Sequence, residues 1–426
     1  MLSQNSSFSR KSVYNKGIRT QEVLMEQQDL HLPAFFAVLR SSLWGTPPAC
    51  DTGFDSAAVW QELKHHAIQN LAVDTMASLD PAHQMQYIQS AAQSYHHWYS
   101  LMQVQQQIMD LLEQAQIPCA VLKGSAADVY YPNPLNRNMG DIDILVKPQD
   151  FAQAVQILLS GGCILHDDRN PKHTEFRKNG IAIELHRHFA TLNHQQRAST
   201  LDAMLFDALD RVEKAELEGF HFYMLPPLEN GIVLMEHINS HMESGLGLRQ
   251  IIDWMLYANR HLSDPVWFQQ FSGMIRQVGL EKLTCTVTRM CQLYLGLSPD
   301  ITWCQLSDMA LCHRLMTHTL QQGNFGRKQV HNTQKAVILL GALDTERNFF
   351  RLLQKHGCHN WRALKRHPWL KPFAWLYQLC RYIRKALSGK KPLRAFFRAF
   401  GKKKKNSDLL DALGVLRKDH SLQYDT

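Results

Sequence analysis

The sequence predicts an α+β fold, a small mixed sheet set between helical regions. Two observations lead there. Apolar residues recur at helical spacing through most of the chain. That period breaks over residues 118–190, where short Val-, Ile- and Leu-rich runs are bounded by Gly, Pro, Asn and Asp.

Residues 1–30 are Ser- and Gln-rich and are expected to be disordered; they lack the apolar stretch of a signal peptide. Residues 31–117 read as a helical region. "VWQELKHHAIQNLAVDTMASL" has the helical period, and "WYSLMQVQQQIMDLLEQAQI" sets Leu101, Val104, Ile108 and Leu111/Leu112 on one stripe before Pro118 stops it. The core, 118–190, opens with "CAVLKG" as a buried strand, "SAADVYY" as a helical turn or two and "PNPLNRNMG" as a loop. "DIDILV" is a second strand, and "KPQDFAQAVQILLSGG" is a helix closed by two glycines. "CILHDD", "TEFRKNG" and "IAIELHRHF" are three more strands, the last two joined at Asn179-Gly180, a strong hairpin signal. Residues 191–388 return to a helical texture, as in "LENGIVLMEHINSHMES" and "GLRQIIDWMLYANRHL", and 389–426 form a basic tail. No repeat of fixed period is visible.

With 426 residues the chain can bury a sizeable core. No apolar run approaches the ~18 residues of a membrane span. Nine cysteines without a C-x-x-C pair point to free thiols and a cytoplasmic setting. The net charge of +8 is concentrated: Trp361 to Lys405 holds 15 Lys and Arg and no acid. The near-neutral remainder argues against a general nucleic-acid binder. Three readings stay open for the tail: a peripheral contact with anionic membrane through "FAWLYQLCRYIRKAL" and "RAFFRAFGKKKK", a nucleic-acid contact, or a solvated helical end.

The chemistry concentrates in "LKGSAADVYYPNPLNRNMGDIDILV". Strand side chains alternate, so Asp141 and Asp143 share one face and Ile142 and Ile144 the other. Carboxylates two residues apart on a strand sit about 6–7 Å from each other. At an effective dielectric of about 20 they repel by roughly 2–3 kcal/mol. A divalent cation removes that conflict, and oxygen ligands suit Mg²⁺ or Mn²⁺. In "IAIELHRHF", Ala182, Glu184 and His186 share a face, so Glu184 joins the aspartates if its strand is their neighbour. Gly124 lets backbone approach a ligand, Ser125 adds a hydroxyl at a helix start, and Lys123 and Arg137 offer charge to a triphosphate. Each residue also has a plainer reading. The acids would then line a solvated sheet face, Ser125 would cap a helix, and Lys123 and Arg137 would be surface or loop charges.

Elsewhere the signals are weaker. His237 and His241 lie four apart on a helix but lack a third ligand or an H-E-x-x-H pattern; they read as packing near the mouth of the site, with Arg249 and Asp253 lining it from the next helix. "QQGNFGRKQ" lacks the lysine-hydroxyl ending of a phosphate-binding loop, and Cys358 reads as structural or exposed.

The pattern "LKG…YYPNP…R…GDIDILV…IELH" resembles the bacterial nucleotidyltransferase family, an uncharacterised branch of the DNA polymerase beta-like superfamily, from about residue 35 to about 290. The resemblance implies a polymerase-beta-like nucleotidyltransferase core flanked by helical N- and C-terminal regions. It implies that Gly124 and Ser125 hold the triphosphate and that Asp141, Asp143 and Glu184 are catalytic metal ligands for Mg²⁺ or Mn²⁺. The implied reaction moves a nucleoside monophosphate from a nucleoside triphosphate to a hydroxyl of a small-molecule, sugar or protein acceptor. Two features depart from the pattern: the loop "YPNPLNRNM" is long, and His186-Arg187-His188 has no assigned role. The competing readings are a non-catalytic nucleotide-binding, antitoxin-like partner, or a peripheral membrane scaffold.

Overall fold

In the computed structural model, residues 30–326 are described apart from 51–52, 191–194 and 243. Most of 361–387 is also described, with short pieces at 353–354, 357–358 and 408–415. The expectation for 1–30 and most of that for the tail 389–426 lie outside the described residues. Among the described residues no helix is long and apolar enough to cross a membrane.

Among the described residues four α-helices precede the sheet: α1 (Leu32–Trp44), α2 (Ser56–His65), α3 (Val73–Leu79) and α4 (Gln84–Gln114). Pro33 in the first turn and Gly45 in the left-handed conformation bracket α1. The Asp55 carboxylate accepts the Ala58 N–H at 2.9 Å and so caps α2. The 31-residue α4 is held by its buried stripe, which includes Trp98, Leu101, Met102, Val104, Ile108, Met109 and Leu112.

The chain then enters β1 (Cys119–Leu122), the short α5 (Gly124–Asp128), β2 (Ile142–Val146), α6 (Phe151–Ser160), β3 (Ile164–Asp167), β4 (His173–Lys178) and β5 (Ile181–His186). These are the elements expected between residues 118 and 190. Asn179 and Gly180 both take positive φ, 52° and 81°, as a two-residue hairpin matching strand twist requires.

The sheet does not stop there. After α7 (Gln195–Ala208), a hairpin of β6 (Glu213–Leu217) and β7 (Phe220–Met224) completes seven strands in the order β3-β4-β5-β2-β1-β7-β6. The helical texture expected after Phe189 is therefore interrupted. Its turn is Glu218-Gly219, with φ of 50° and 82°; Glu seldom takes positive φ, which hid the turn from the sequence. β7 pairs parallel to β1, so β1 is an inner strand.

The helices α8 (Pro227–His241) and α9 (Leu248–His261) follow, then α10 (Ser272–Gln277), α11 (Glu281–Tyr294) and α12 (Met309–Gln322). The basic segment contributes α13 (Ala374–Leu387). Ile142, Ile144, Ile183 and Leu185, on one face of β2 and β5, are fully buried. The opposite face of these two strands carries the polar side chains.

The long loop before β2 is fastened to the helices. The Arg137 guanidinium donates from Nε and Nη2 to the two carboxylate oxygens of Asp253 on α9, both at 2.8 Å. Tyr131 donates to Asp253 at 2.7 Å, and Arg249 donates to the Asn138 carbonyl at 2.8 Å. Such a bidentate pair is directional as well as charged, so it sets the path of the chain into Asp141.

Candidate active site

β2 and β5 run parallel with Asp143 in register with Glu184. Residues in register on neighbouring strands point to the same face, so pairing across 41 positions turns Glu184 to the side of the aspartates. Oxygens of Asp141, Asp143 and Glu184 lie within 4.8 Å of one another. Asp143 is 2% exposed, Glu184 is partly exposed and Asp141 opens to solvent.

Two basic groups meet this cluster. Lys123 Nζ is 2.9 Å from Asp143 Oδ1. His186 Nε2 is 3.0 Å from the same oxygen and 3.3 Å from Glu184 Oε2. Burial pushes the Asp143 carboxyl up, but Lys123 and His186 outweigh it and hold the group below the usual carboxylate range. Asp141 moves the other way: the charge of Asp143, and then lost hydration, raise it. For Lys123, burial favours the neutral form, yet Asp143, Asp141 and Glu184 together raise its pKa. His186 shows the same balance, with burial opposed by Asp143 and Glu184.

Lys123 also bends the chain. Its φ of 56° and ψ of −142° fall in a region that residues with a Cβ rarely occupy. Gly124 follows at φ +39°, near the Asp141 carbonyl. This double bend turns β1 into α5 and directs the Lys123 ammonium at Asp143.

Lys123, Asp141, Asp143 and Glu184 thus come together, with Gly124 beside them. Ser125 and Arg137 are engaged elsewhere. The Ser125 hydroxyl, fully buried, donates to Gln105 Oε1 on α4 at 2.9 Å. Arg137 is buried against Asp253, with Asp128 Oδ1 3.4 Å from its Nε. Arg249 is the guanidinium near the acids. It is 8% exposed, its charge bears on Asp141, and its buried Nε has no hydrogen-bond partner among the described residues. His237, also buried, is held far toward the neutral form by burial and by His241, Lys123 and Arg249.

Sequence reasoning left His186 without a role and did not single out His173. For His186 the signal was present, because alternation already sets it on the face of Glu184. For His173 it was not, since only the β4–β5 register places it opposite His186.

The donor set fits a divalent cation. Three carboxylates with oxygens this close repel one another, Lys123 and His186 offset part of that repulsion, and all-oxygen ligation suits a hard ion.

Residues 52–296, more than half of the chain, match the family described as uncharacterised nucleotidyltransferase. The chain belongs to this nucleotidyltransferase family. The matched span runs from before α2 to just past α11 and takes in all seven strands. Among solved structures the chain is similar to an antigenic nucleotidyltransferase-like protein from Paracoccidioides brasiliensis. The identity is 15% over 46% of this chain and 93% of that one, with a TM-score of 0.30. It is also similar to a tRNA-processing enzyme, at 10% identity over 74% and 98% of the two chains and a TM-score of 0.21. No curated protein matches the chain. Membership of the nucleotidyltransferase family makes nucleotidyl transfer from a nucleoside triphosphate the activity class of this protein.

Proposed function

We propose that this nucleotidyltransferase moves a nucleoside monophosphate to a hydroxyl of a small-molecule, sugar or protein acceptor, with Asp141, Asp143 and Glu184 as the metal-binding carboxylates. The observation that carries this reading is the parallel register of Asp143 with Glu184, which sets three acids on one sheet face.

Bound there, a divalent cation such as Mg²⁺ or Mn²⁺ would supply charge neutralisation of the phosphates. The acceptor oxygen bonds to the α-phosphorus as the bond to the bridging oxygen of the β-phosphate breaks, and pyrophosphate leaves with that electron pair. The hydroxyl proton passes to a site carboxylate. We assign this role to Glu184, which lies beside His186 and, unlike Asp143, keeps part of its side chain in solvent. Asp143, held ionised, keeps its charge for the cation. Arg249 is the group suited to the triphosphate tail, because a buried guanidinium with an idle N–H favours an anion. Gly124 lets the chain approach those oxygens, and Lys123 lies close enough to exchange its Asp143 partner for a phosphate. The near-neutral body away from the basic segment fits a small acceptor better than a polynucleotide.

The test is incubation of the full chain with each α-labelled nucleoside triphosphate, Mg²⁺ or Mn²⁺ and cell extract. The label should move to a discrete species with release of pyrophosphate. Asp143→Ala should lower that release by on the order of 10³-fold or more. Nucleotide binding by the wild type with no transfer under any metal would favour the non-catalytic reading instead.

A further inference from the structure

Beyond the all-oxygen cluster, the same sheet face carries a grid of imidazoles and carboxylates. His173 is in register with His186 and Glu175 with Glu184 across β4 and β5. The two imidazole rings are 4.9 Å apart and tilted. His186 Nε2 lies 3.3 Å and His173 Nδ1 3.7 Å from one oxygen, Glu184 Oε2. Ligand atoms of these three residues all fall within 4.8 Å of one another.

We propose that His173, Glu184 and His186 form a second cation site, next to the carboxylate site and sharing Glu184 with it, for a divalent transition metal such as Co²⁺, Zn²⁺ or Mn²⁺. The donors decide the class of ion. Two imidazoles and one carboxylate suit transition metals, whereas Mg²⁺ and Ca²⁺ favour oxygen alone. Hydrogen bonding accounts for His186, whose Nε2 meets Asp143 Oδ1 at 3.0 Å, but not for His173, whose Nδ1 at 3.7 Å is too far to bond Glu184. His186 supplies an independent sign. It is 6% exposed, and its Nδ1 has no partner among the described residues, although its Nε2 faces two carboxylates. A His186 ring nitrogen can turn to a cation while Asp143 and Glu184 balance the charge. A second carboxylate also stands by His173, with Glu175 Oε1 3.7 Å and the Asn170 amide nitrogen 3.2 Å from Nε2.

The metal-free full chain is titrated with Co²⁺ alone and followed by visible absorption; Mn²⁺ and Cu²⁺ are followed by electron paramagnetic resonance. The wild type should show the stronger, shifted Co²⁺ bands of nitrogen ligation and nitrogen coupling on Cu²⁺. His173→Gln should lose both and weaken Co²⁺ binding by roughly 10–100-fold, while still binding Mg²⁺. Asp141→Asn should keep the nitrogen signature. Should His186→Gln fail to fold, His173→Gln on the partly exposed β4 still decides the matter. Weak, aquo-like Co²⁺ bands in the wild type would overturn the site, as would spectra unchanged by His173→Gln. Because the readout is ligation, its failure is distinct from that of the transfer reaction, which pyrophosphate release reports.

Discussion

At Lys123 a side chain that makes an ion pair sits on backbone that favours glycine. The conformation costs about 1–3 kcal/mol, sustained by the Asp143 pairing and by packing around the bend. Two substitutions separate the contributions. Lys123→Ala and Lys123→Gly both leave Asp143 without its ammonium, but only glycine relieves the strain. Part of that gain is offset by the freer unfolded chain. Lys123→Gly should therefore be the more stable of the two by about 1 kcal/mol in urea unfolding. Equal midpoints would mean the bend is unstrained. Asp128 gives a pH test. Burial drives its carboxyl up to about 7, against the pull of Arg137 and the Trp98 N–H donated at 2.8 Å. An acid whose pKa is raised on folding binds more protons folded than unfolded, so its contribution to stability is present below pH ~4 and lost as pH climbs toward 7. Asp128→Asn removes this dependence. Relative to wild type the variant should gain roughly 2–4 kcal/mol between pH 4 and 8, read from paired denaturant curves. A constant difference across that range would show that Asp128 stays ionised.

Between elements, α8 and α9 meet at Gly231. A Cβ there would lie 2.2 Å from Tyr257 Oη, and Tyr257 is fully buried among Tyr130, Trp254, His261 and Phe271. The ring has nowhere to go, so Gly231→Ala should destabilise the chain by about 2 kcal/mol despite the better helix propensity of alanine. Tyr257 Oη is buried without a partner among the described residues, so Tyr257→Phe should restore part of that loss in the double variant. Thermal melts of the two single variants and the double variant measure both effects, and additive losses would place the clash elsewhere. The contact matters for the site because α9 carries both Arg249 and Asp253.

Across the whole molecule, the strands of residues 118–190 are not self-sufficient. β1 pairs with β7, the Ser125 hydroxyl is received by Gln105 of α4, and Arg137 and Tyr131 are received by Asp253 of α9. Cut after residue 190, the chain would leave a bare strand edge and a buried guanidinium with Asp253 gone. Both are heavily penalised. Such a chain should show no cooperative thermal transition and no near-ultraviolet dichroism. A sharp transition near that of the full chain would mean that five strands and the N-terminal helices stand alone.

Local rules were enough for the sequence to determine the pieces: two acids on one face of a strand, Glu184 and His186 on one face of another, the Asn179-Gly180 hairpin, the bend at Gly124 and the helices on either side. Each depends on period or turn chemistry within a few residues. Only the tertiary structure decided which pieces touch. It set β5 parallel beside β2, so that Asp143 meets Glu184, and it paired β4 so that His173 meets His186. It drew Ser125 to Gln105 and Arg137 to Asp253, left Arg249 as a guanidinium whose charge bears on Asp141, and added a hairpin whose Glu-Gly turn carries little local signal. The physical reason is that strand neighbours and buried ion pairs are selected by burial and charge over tens to more than a hundred positions of chain, and no local period records that choice.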